Sequence, residues 1–555
     1  MASAVKKLYP SAKLGIGPAI EGGFYYDFDI PEGLKEEDLL RIEEEMKKIV
    51  EKDLPFVHEE WSKEEALRFF EENKEIYKLQ LLRELEEDKV SIYKHGDFVD
   101  LCKGPHLAST GQVRYFKLLS TAGAYWRGKE ENPQLVRIYG TAFFEEEELG
   151  EFLRQIQEAK ERDHRKLGPL LRLFDIYQEE AGAGLVFYLE KGAILRRIIE
   201  DWEIGEHLKR GYQLVITPHI LESKLWQRSG HLDYYRELMF LIEEENTSYA
   251  VKPMNCPAHM LIYKSKIRSY RDLPLKIFEL GTVYRKEKSG VLHGLLRLRG
   301  FTQDDAHIFC REAQLRQEVE EVLSFIQEAM EKFGFKGFSA ELSTRPLNFI
   351  GQEEVWEKAE LVLEEVLKEK KFSYEICKGE GAFYGPKIDI KLKDALGRAW
   401  QCATVQIDFF LPKRFNLYYI DEKGEKKTPV MIHRVILGSL ERFLATLIEH
   451  YKGAFPLWLA PVQIKILSLK DSCRDYAQKI KSSLERDFRV EVDLREETLS
   501  RKIREAELEK VPYIVVVGEK EKETQTLNVR SRGKKQLGNK TLQEFKEFLE
   551  QELVF

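Results

Sequence analysis

The feature that most constrains the fold is the stretch from Glu279 to Cys310, which predicts two strands joined by a basic, glycine-containing loop. Apolar side chains recur along both predicted strands: Leu280, Val283 and Tyr284 in the first, and Leu296, Leu298 and Phe301 in the second. Alternation of this kind is typical of antiparallel strands with one buried face. We therefore expect a rigid hairpin.

The hairpin brings positive charge next to hydrogen-bond acceptors. The cations follow the first strand or are expected on the second: Arg285, Lys286, Lys288, Arg297 and Arg299. Arginine pairs bidentately with phosphate oxygens and stays charged, so such a hairpin suits a polyphosphate. The second strand continues into an acceptor-rich run: Gln303, Asp304, Asp305 and His307. Basic residues on a hairpin also commonly form only a solvated surface, so the pattern by itself leaves both interpretations open.

Length and composition limit the class of protein. The 555 residues predict roughly three domains. Hydrophobic residues make up 43% of the chain and charged residues 33%, as in an ordinary globular protein. The net charge of −8 provides no overall basic field, so any contact with RNA must use local patches.

Cysteine usage and hydropathy indicate the compartment. The six cysteines form no Cys-x-x-Cys pair, and the first residues lack the apolar core of a secretion signal. No apolar run approaches the roughly 20 residues that a membrane span requires. We therefore predict a cytoplasmic protein without a membrane partner.

The stretch YRKE…GLLRLRGFTQDDAHIF resembles motif 2 of class II aminoacyl-tRNA synthetases, in the form carried by threonyl-tRNA synthetases. The resemblance extends from about Ala2 to the end of the chain. A helix from about Gly192, followed by a strand ending at Pro218, resembles motif 1, which forms the dimer interface in this class. The segment with Gly438 and Arg442 near the start of a helix resembles motif 3. The resemblance thus implies a homodimer.

The predicted fold class is a multidomain chain of α+β and α/β type. An N-terminal α+β domain similar to an editing domain is expected over residues 1–145, and a linker helix over 146–168. A class II catalytic domain, with an antiparallel sheet and helices, is expected over 169–458. Over 459–555, alternating strands and helices predict parallel βαβ units, and the resemblance identifies them as an anticodon-binding domain.

Some local elements are also predicted. Helices are expected over 36–52 and 63–88, and a long charged helix from Phe143 is expected to stop at Gly168-Pro169. The segment GAFYGPKIDIKLKDALGRAWQCATVQIDFFLP, residues 381–412, is expected to add three strands to the antiparallel sheet.

Cys102 and His106 are four residues apart in DLCKGPH. The spacing alone fits half of a metal site, a polar catalytic pocket, or a buried cysteine near an unrelated histidine. The resemblance identifies the pair with the second half of an editing site, which hydrolyses serine wrongly attached to tRNA. The first half, a His-x₃-His pair, precedes the stretch matched by ASAVKKLYP and lies outside this sequence. With two of the four polar residues, we do not expect the domain to retain editing.

Cys256, His307 and His433 lie far apart in sequence, and an isolated cysteine or histidine is usually structural. In the family that the chain resembles, these motif residues hold one catalytic-domain zinc with an open coordination position. The resemblance implies that Zn²⁺ binds the amino group and the hydroxyl of threonine. A site that binds a substrate hydroxyl can reject an analogue without it, such as valine, by about 10⁴–10⁵-fold. The further residues implied for threonine binding are Asp305 on the hydroxyl, Tyr384 on the amino group, and Gln303, Met254 and Gln406.

Activation would join the carboxylate of L-threonine to the α-phosphate of ATP, a reaction in which positioning and charge stabilisation matter most. Mg²⁺ is expected with ATP, because hard divalent cations bridge phosphates. The residues implied are Arg285 for the α-phosphate and the substrate carboxylate, Arg297 and Arg442 for the outer phosphates, Glu287 and Ser439 for the adenine side, and Lys387 as a further cation.

Two sets of residues are implied for tRNA(Thr). His231 matches a position proposed in the family as the proton acceptor during transfer to the tRNA 3′ end. Glu496, Glu521 and Arg530 match positions that contact anticodon bases, and arginine can read a guanine edge bidentately. Glu496 departs from the family pattern, which has asparagine there. Because a carboxylate accepts hydrogen bonds but does not donate them, the contact with the base must differ.

The leading hypothesis is a homodimeric threonine–tRNA ligase that uses zinc and ATP. One alternative is a catalytically silent relative that binds tRNA-like RNA as a regulator. Loss of Arg285, Arg442 or a zinc ligand would favour it, and all of these residues are present. Another alternative is a relative that activates proline or serine, against which the FTQDDAH sequence and the Cys/His/His set argue.

Overall fold

The computed structural model describes residues 1–20, 22–129, 131–393, 399–533 and 535–554. The chain forms two compact units, Met1–Gln157 and Glu158–Phe555. All six cysteines are free thiols. Among the described residues, no helix combines the length and the apolar character needed to cross a bilayer.

The first unit contains two antiparallel sheets. The strands of the first sheet are, in spatial order, Lys13–Leu14, Gly23–Asp29, Gln134–Phe143 and Tyr115–Tyr125, with Ala19–Ile20 paired to Gly23–Asp29. The strands of the second are Val57–Ser62, Lys89–His95 and Phe98–Leu101. The helices are Ala2–Leu8, Asp38–Glu51, Lys63–Glu72 and Ile76–Glu84. Val5, Phe28, Ile42 and Ile138 lie in the core.

The prediction of one helix over 63–88 is wrong, because the chain forms two helices there. Lys74 adopts a left-handed conformation with φ of +55°, which ends the first helix. The next residue, Glu75, is buried, and its carboxylate accepts hydrogen bonds from Lys6 Nζ and from the Leu14 N–H, each at 2.8 Å. A contact distant in sequence therefore interrupts the helical pattern.

The second unit is organised around an eight-stranded sheet. In chain order, its strands are β1 (Gln213–Leu214), β2 (Leu275–Tyr284), β3 (Gly300–Cys310), β4 (Phe338–Ser343), β5 (Tyr374–Cys377), β6 (Lys387–Lys393), β7 (Ala399–Asp408) and β8 (Val430–Val435). Their spatial order is β1-β2-β3-β8-β7-β6-β4-β5. Only the edge pairs β1–β2 and β4–β5 are parallel. The remaining pairs are antiparallel, as predicted.

Helices and smaller sheets accompany this central sheet. The longer helices are Glu190–Lys209, Leu315–Lys332, Glu353–Glu369 and Leu440–Tyr451. The shorter ones are Gln178–Ala181, Ser223–Ser229, His231–Tyr234, Cys256–Tyr263 and Leu411–Arg414. Three small sheets pair Phe174–Asp175 with Phe187–Tyr188, Thr247–Val251 with Ile220–Glu222 and Leu241–Glu244, and Tyr419–Ile420 with Arg268–Ser269 and Lys426–Lys427. One large core, with Phe278, Ile308, Val322, Ile407 and Leu447 among its members, joins the sheet to the helices.

The predicted hairpin is formed by β2 and β3. The prediction that Arg297 and Arg299 lie on the second strand is wrong, because β3 begins only after them. Leu296 and Leu298 are nevertheless buried. The alternation of Leu296 and Leu298 with polar residues therefore belongs to a buried loop. The backbone of this loop does not continue the hydrogen-bonded ladder of the sheet.

The predicted linker helix is two helices, Glu146–Arg162 and His164–Leu170, and Pro169 lies inside the second one. Asp163 separates them, because its carboxylate caps the second helix by accepting the Arg165 N–H at 2.8 Å.

Two strand predictions also differ from the structure. The strand expected to end at Pro218 is limited to β1, because Thr217 turns to donate its N–H and its hydroxyl to the buried carboxylate of Glu279. Segment 381–412 contributes two strands, β6 and β7, within the described residues, since Ala382 and Gly385 form a tight turn. Residues 394–398 of that segment lie outside the described part.

The C-terminal sheet contains β9 (Ile464–Ser468), β10 (Val490–Asp493), β11 (Tyr513–Val517), β12 (Thr526–Ser531) and β13 (Lys535–Thr541). Its spatial order is β10-β9-β11-β12-β13, and the first three strands are parallel, which confirms the predicted βαβ units. The helices are Arg474–Leu484, Leu499–Leu508, Glu519–Thr524 and Leu542–Val554. Glu509 connects this sheet to the helix Glu190–Lys209. It pairs with Lys191 of that helix at 2.8 Å and with Lys465 of β9 at 2.6 Å.

Candidate active site

The site lies on one face of the central sheet. Residues that alternate along a strand share a face, so Gln303, Asp305 and His307 of β3 project to the same side. Across the neighbouring strands, His307 is directly opposite His433 of β8, and His433 is directly opposite Gln406 of β7. The antiparallel register therefore sets these side chains in a transverse row.

Cys256 completes a cluster with the two histidines. It begins the helix Cys256–Tyr263, and the ligand atoms of Cys256, His307 and His433 all lie within 4.8 Å of one another. The facing nitrogens, His307 Nε2 and His433 Nδ1, are 3.0 Å apart. Residues from three distant motifs thus converge on one point.

Hydrogen bonds on the outer nitrogens assign the tautomers. Glu279 Oε2 can only accept, so His259 donates from Nε2 at 3.2 Å and its Nδ1 accepts from His307 Nδ1 at 2.7 Å. His433 donates from Nε2 to Asp408 Oδ2 at 3.0 Å. Both inner nitrogens therefore present lone pairs to the same point, as metal-binding imidazoles do. With a cysteine sulfur beside them, the donor set fits Zn²⁺.

Burial keeps the Cys256 thiol and the His307 imidazole uncharged. Burial raises the pKa of the Cys256 thiol well above its usual range, and nearby Asp305 and Asp408 raise it further. Burial lowers the pKa of His307 well below its usual range. A cation bound here would stabilise the thiolate form that ligates metals.

The pocket beside the cluster has unused polar groups. Asn255 Nδ2 donates to Asp305 Oδ2 at 3.0 Å, and the Tyr384 hydroxyl donates to Gln406 Oε1 at 3.0 Å. Asn255 Oδ1 and Gln406 Nε2 are buried without a hydrogen-bond partner among the described residues. Because buried polar atoms are nearly always paired, these atoms indicate a polar ligand. Burial raises the pKa of Asp305 as well.

Gln303, Met254 and His231 lie near these groups, because Gln303 is on the same face of β3 as Asp305, Met254 precedes Asn255, and His231 contacts Met254. Gln303 forms an isolated bridge to Ser439, at the start of the helix Leu440–Tyr451. The ring of His231 lies between two partners, with Nδ1 at 2.7 Å from Ser229 Oγ and Nε2 at 2.9 Å from Met254 Sδ. Burial lowers the pKa of His231 to about 4, so its imidazole is neutral near pH 7.

Two partly buried arginines provide an anion site. Arg285 donates from Nε to Pro253 O at 3.4 Å, and Arg442 donates from Nε to Leu296 O at 3.3 Å. Neither guanidinium forms an ion pair within the described part of the chain, and burial lowers the pKa of both. Charges without a counter-ion are costly in a partly desolvated site, so the arrangement favours an anionic ligand.

The other residues assigned to ATP already have partners. Arg297 Nη2 lies 2.9 Å from Glu287 Oε2, and Lys387 pairs with Asp389. The Ser439 hydroxyl caps its helix, accepting the Arg442 N–H at 3.2 Å. Contact of these groups with a nucleotide requires exchange of existing bonds.

Sequence reasoning missed the residues that support the site. They are Asn255, His259, Glu279 and Asp408. Asn255 and His259 flank Cys256, and this closeness in sequence was an available signal. Asp408 and Glu279 carried none, because only the sheet register brings them to the histidines.

Cys102 and His106 do not form a metal-ligand cluster among the described residues. Cys102 Sγ accepts the Gly104 N–H at 3.4 Å and lines a cleft of about 570 Å³. His106 is exposed and packs against Phe56 and Tyr93, with ring centroids 5.1 and 4.1 Å away.

The residues assigned to the anticodon occupy both ends of the C-terminal sheet. Glu496 and Glu521 follow the carboxyl ends of β10 and β11, and Glu521 caps a helix by accepting the Gly518 N–H at 3.0 Å. Arg530 lies on β12 opposite Ile514, near the amino end of β11. Its guanidinium is 3.5 Å from Glu507 Oε1.

Comparisons with known proteins agree with this arrangement. Residues 240–451 match the tRNA synthetase class II core domain (G, H, P, S and T), and residues 459–552 match an anticodon binding domain. Residues 90–139 match the threonyl and alanyl tRNA synthetase second additional domain.

Individual relatives cover nearly the whole chain. A threonine–tRNA ligase of Oleidesulfovibrio alaskensis is 56% identical over 98% of this chain and 84% of its own length. A threonine–tRNA ligase of Citrifermentans bemidjiense is 55% identical over all of this chain and 87% of its own length. A crystal structure described as the RNA binding domain of threonyl-tRNA synthetase from Cryptosporidium parvum matches with a TM-score of 0.66 and 40% identity, covering 70% of this chain and 98% of that one.

Proposed function

The chain belongs to the threonyl-tRNA synthetase family of class II aminoacyl-tRNA synthetases, and from this premise we propose which residues carry its reaction. It is a threonine–tRNA ligase, which activates L-threonine with ATP and transfers it to tRNA(Thr). The roles below are proposals.

The assignment of the ATP site rests on one observation: among the described residues, the guanidinium groups of Arg285 and Arg442 have no acidic partner. Arg285 would contact the α-phosphate and the threonine carboxylate, because it lies at the end of β2 beside the amino-acid pocket. Arg442 would hold the outer phosphates, together with Arg297 once it exchanges its bond to Glu287. Charge stabilisation of this kind supplies most of the catalysis of phosphoryl transfer.

The remaining ATP residues would orient the nucleotide. Glu287 and Ser439 would contact the adenine side, and Lys387 would add a cation at the pocket. Use of ATP by a class II synthetase implies a divalent cation, and we assign it as Mg²⁺ because hard oxygen ligands of phosphate suit it.

Cys256, His307 and His433 would hold one Zn²⁺ per subunit. A zinc there would supply open coordination for both the hydroxyl and the amino group of threonine, of which valine provides only the amino group. Asp305 would accept a hydrogen bond from the threonine hydroxyl, and Tyr384 would orient the amino group. The orphaned Gln406 Nε2 supports a polar substrate in this pocket. Gln303 and Met254 would complete its walls.

His231 would accept the proton of the tRNA 3′ end during transfer. Its imidazole is unprotonated near pH 7, as a base must be, while the low pKa of about 4 makes it a weak base in the absence of tRNA. Glu496, Glu521 and Arg530 would contact the anticodon, with Glu496 acting as an acceptor only.

We propose further that the chain forms a homodimer in the cytoplasm through the segment that resembles motif 1. Apolar side chains are exposed there, including Leu208, Leu214 and Ile216, the last at 87%. Domain limits are proposed at 1–145, 146–168, 169–458 and 459–555, and the last of these begins where the match to the anticodon binding domain begins.

We also propose that Cys102 and His106 do not by themselves clear Ser-tRNA. Serine keeps the hydroxyl and lacks one methyl group, a difference of only about 1–3 kcal/mol, so it escapes the zinc site.

The experiment is charging of transcribed tRNA(Thr) by the zinc-loaded enzyme with threonine, valine and serine in parallel. Threonine should charge, valine should not, and Ser-tRNA should accumulate. Low Ser-tRNA with rapid serine-dependent consumption of ATP would contradict the editing proposal. Failure with threonine itself would favour the silent RNA-binding relative.

A further inference from the structure

His164 is a fully buried histidine outside the substrate pockets, at the first position of the helix His164–Leu170. Its Nδ1 lies 2.7 Å from Glu449 Oε1, and its Nε2 lies 3.0 Å from the backbone nitrogen of Leu295. The carboxylate requires a hydrogen-bond donor on the imidazole, whereas the backbone N–H requires an acceptor. One neutral tautomer, with the proton on Nδ1, satisfies both contacts.

The two contacts belong to the elements that carry the ATP arginines. Leu295 lies at the end of the loop between β2 and β3, and the carbonyl of Leu296 accepts from Arg442 Nε at 3.3 Å. Arg442 and Glu449 both lie on the helix Leu440–Tyr451. The helix and the loop are therefore connected twice. One connection runs through His164, and the other runs through Arg442.

The backbone of the loop approaches the imidazole of His164 closely at Gly294. Gly294 has φ of +47°, and a Cβ added there would lie 2.2 Å from His164 Nε2. Only glycine permits this approach and this backbone conformation without strain. Arg162 strengthens the same junction by donating from Nη1 to the carbonyls of Glu449 at 3.2 Å and His450 at 2.9 Å.

We propose that His164 is a positioning residue for ATP: it fixes the end of the β2–β3 loop and thereby the guanidinium of Arg442. The inference rests on the proposed assignment of Arg442 to ATP. Without His164, the buried Leu295 N–H loses its acceptor, and the loop must move to find another. The carbonyl that holds Arg442 moves with it.

The test is threonine-dependent ATP–pyrophosphate exchange by the full chain. His164→Phe keeps the ring volume and removes both hydrogen bonds. We expect it to raise KM for ATP about tenfold, equivalent to about 1.4 kcal/mol, with KM for threonine unchanged. Gly294→Ala should act in the same direction, because it separates the loop from the ring. Lys166→Ala, an exposed neighbour on the same helix, should change neither constant.

Arg442→Ala separates the two ideas. If it leaves KM for ATP unchanged, the proposed function of Arg442 fails. If it raises KM for ATP while His164→Phe and Gly294→Ala do not, only the role of His164 is overturned. A parallel loss of kcat with both KM values unchanged also overturns it.

His164→Gln keeps one donor and one acceptor, so it should restore part or all of the affinity for ATP that His164→Phe loses. If His164→Phe does not fold, Gly294→Ala decides the matter, because it leaves His164 in place. A rise in KM for ATP in Gly294→Ala that exceeds the rise in His164→Gln, without an effect on threonine, supports the proposal. An unchanged KM for ATP in Gly294→Ala, or equal rises for both substrates, contradicts it.

Discussion

Lys252 and Glu279 form a buried ion pair, with Lys252 Nζ 2.9 Å from Glu279 Oε1, one histidine away from the Cys256–His307–His433 cluster. The same carboxylate accepts from His259 and from Thr217. Removing one partner of such a pair leaves a buried charge, which costs about 3–5 kcal/mol. The Cys256–His307–His433 cluster therefore rests on a network that also stabilises the fold.

The first prediction concerns stability against pH. Although burial opposes it, the hydrogen bonds from His259 and Thr217 and the charge of Lys252 lower the pKa of Glu279 to about 2. A pKa lowered by folding adds stability above the unfolded value of 4.5 and loses it as pH falls toward 2. The advantage of the native chain over Glu279→Gln in urea unfolding should therefore shrink as pH falls from 4.5 toward about 2.

Glu318→Gln provides the control with the opposite sign. Glu318 is buried and paired with Lys276 at 2.9 Å, but burial raises its pKa. A raised pKa makes the native state bind protons more tightly than the unfolded state. The free energy of unfolding of the native chain, relative to that of Glu318→Gln, should therefore rise as pH falls. Identical pH trends for the two variants would contradict the assignment.

The second prediction concerns the metal. Cys256→Ala should lose bound zinc, measured by atomic absorption, and should lower the rate of threonine activation more than about 100-fold, since even outer-shell changes cost about 10–100-fold. Cys310→Ala is the matched control, because Cys310 is equally buried on β3 and lies outside the cluster. Zinc retained by Cys256→Ala would refute the ligand set.

The third prediction concerns amino-acid selection. Asp305→Asn keeps the shape of the side chain and removes its negative charge, so the threonine hydroxyl exchanges a charged acceptor for the weaker, neutral acceptor of an amide. We expect the threonine-to-valine ratio of kcat/KM to fall at least about tenfold from the about 10⁴–10⁵ that a hydroxyl-binding site attains. The measurement is pyrophosphate exchange with each amino acid. An unchanged ratio would exclude Asp305 as the hydroxyl partner.

The fourth prediction concerns the shape of the Arg285 cation. Arg285→Lys keeps the charge and loses the guanidinium fork, so kcat for activation should fall about 10²–10³-fold, the usual effect of removing one transition-state donor. Arg311→Lys, at a half-buried arginine paired with Glu422 outside the site, should have no effect. Equal activity of both variants would show that charge alone suffices at Arg285.

Some parts of the structure follow from local sequence. The βαβ units after Ile464 were predictable because each strand and helix carries its own period of apolar residues. The loop before β3 was mispredicted because Leu296 and Leu298 alternate as a strand does, while the core that buries them comes from elsewhere in the chain.

The sequence by itself determined the family, the chemistry of the cluster residues and the order of the domains, because these depend on residue type and spacing. The tertiary structure alone decided which groups orient His307 and His433, why a helix ends before Lys74, and how His164 joins a loop to a helix. Those features depend on hydrogen bonds between residues far apart in the chain, and only the packed sheet brings such partners within about 3 Å.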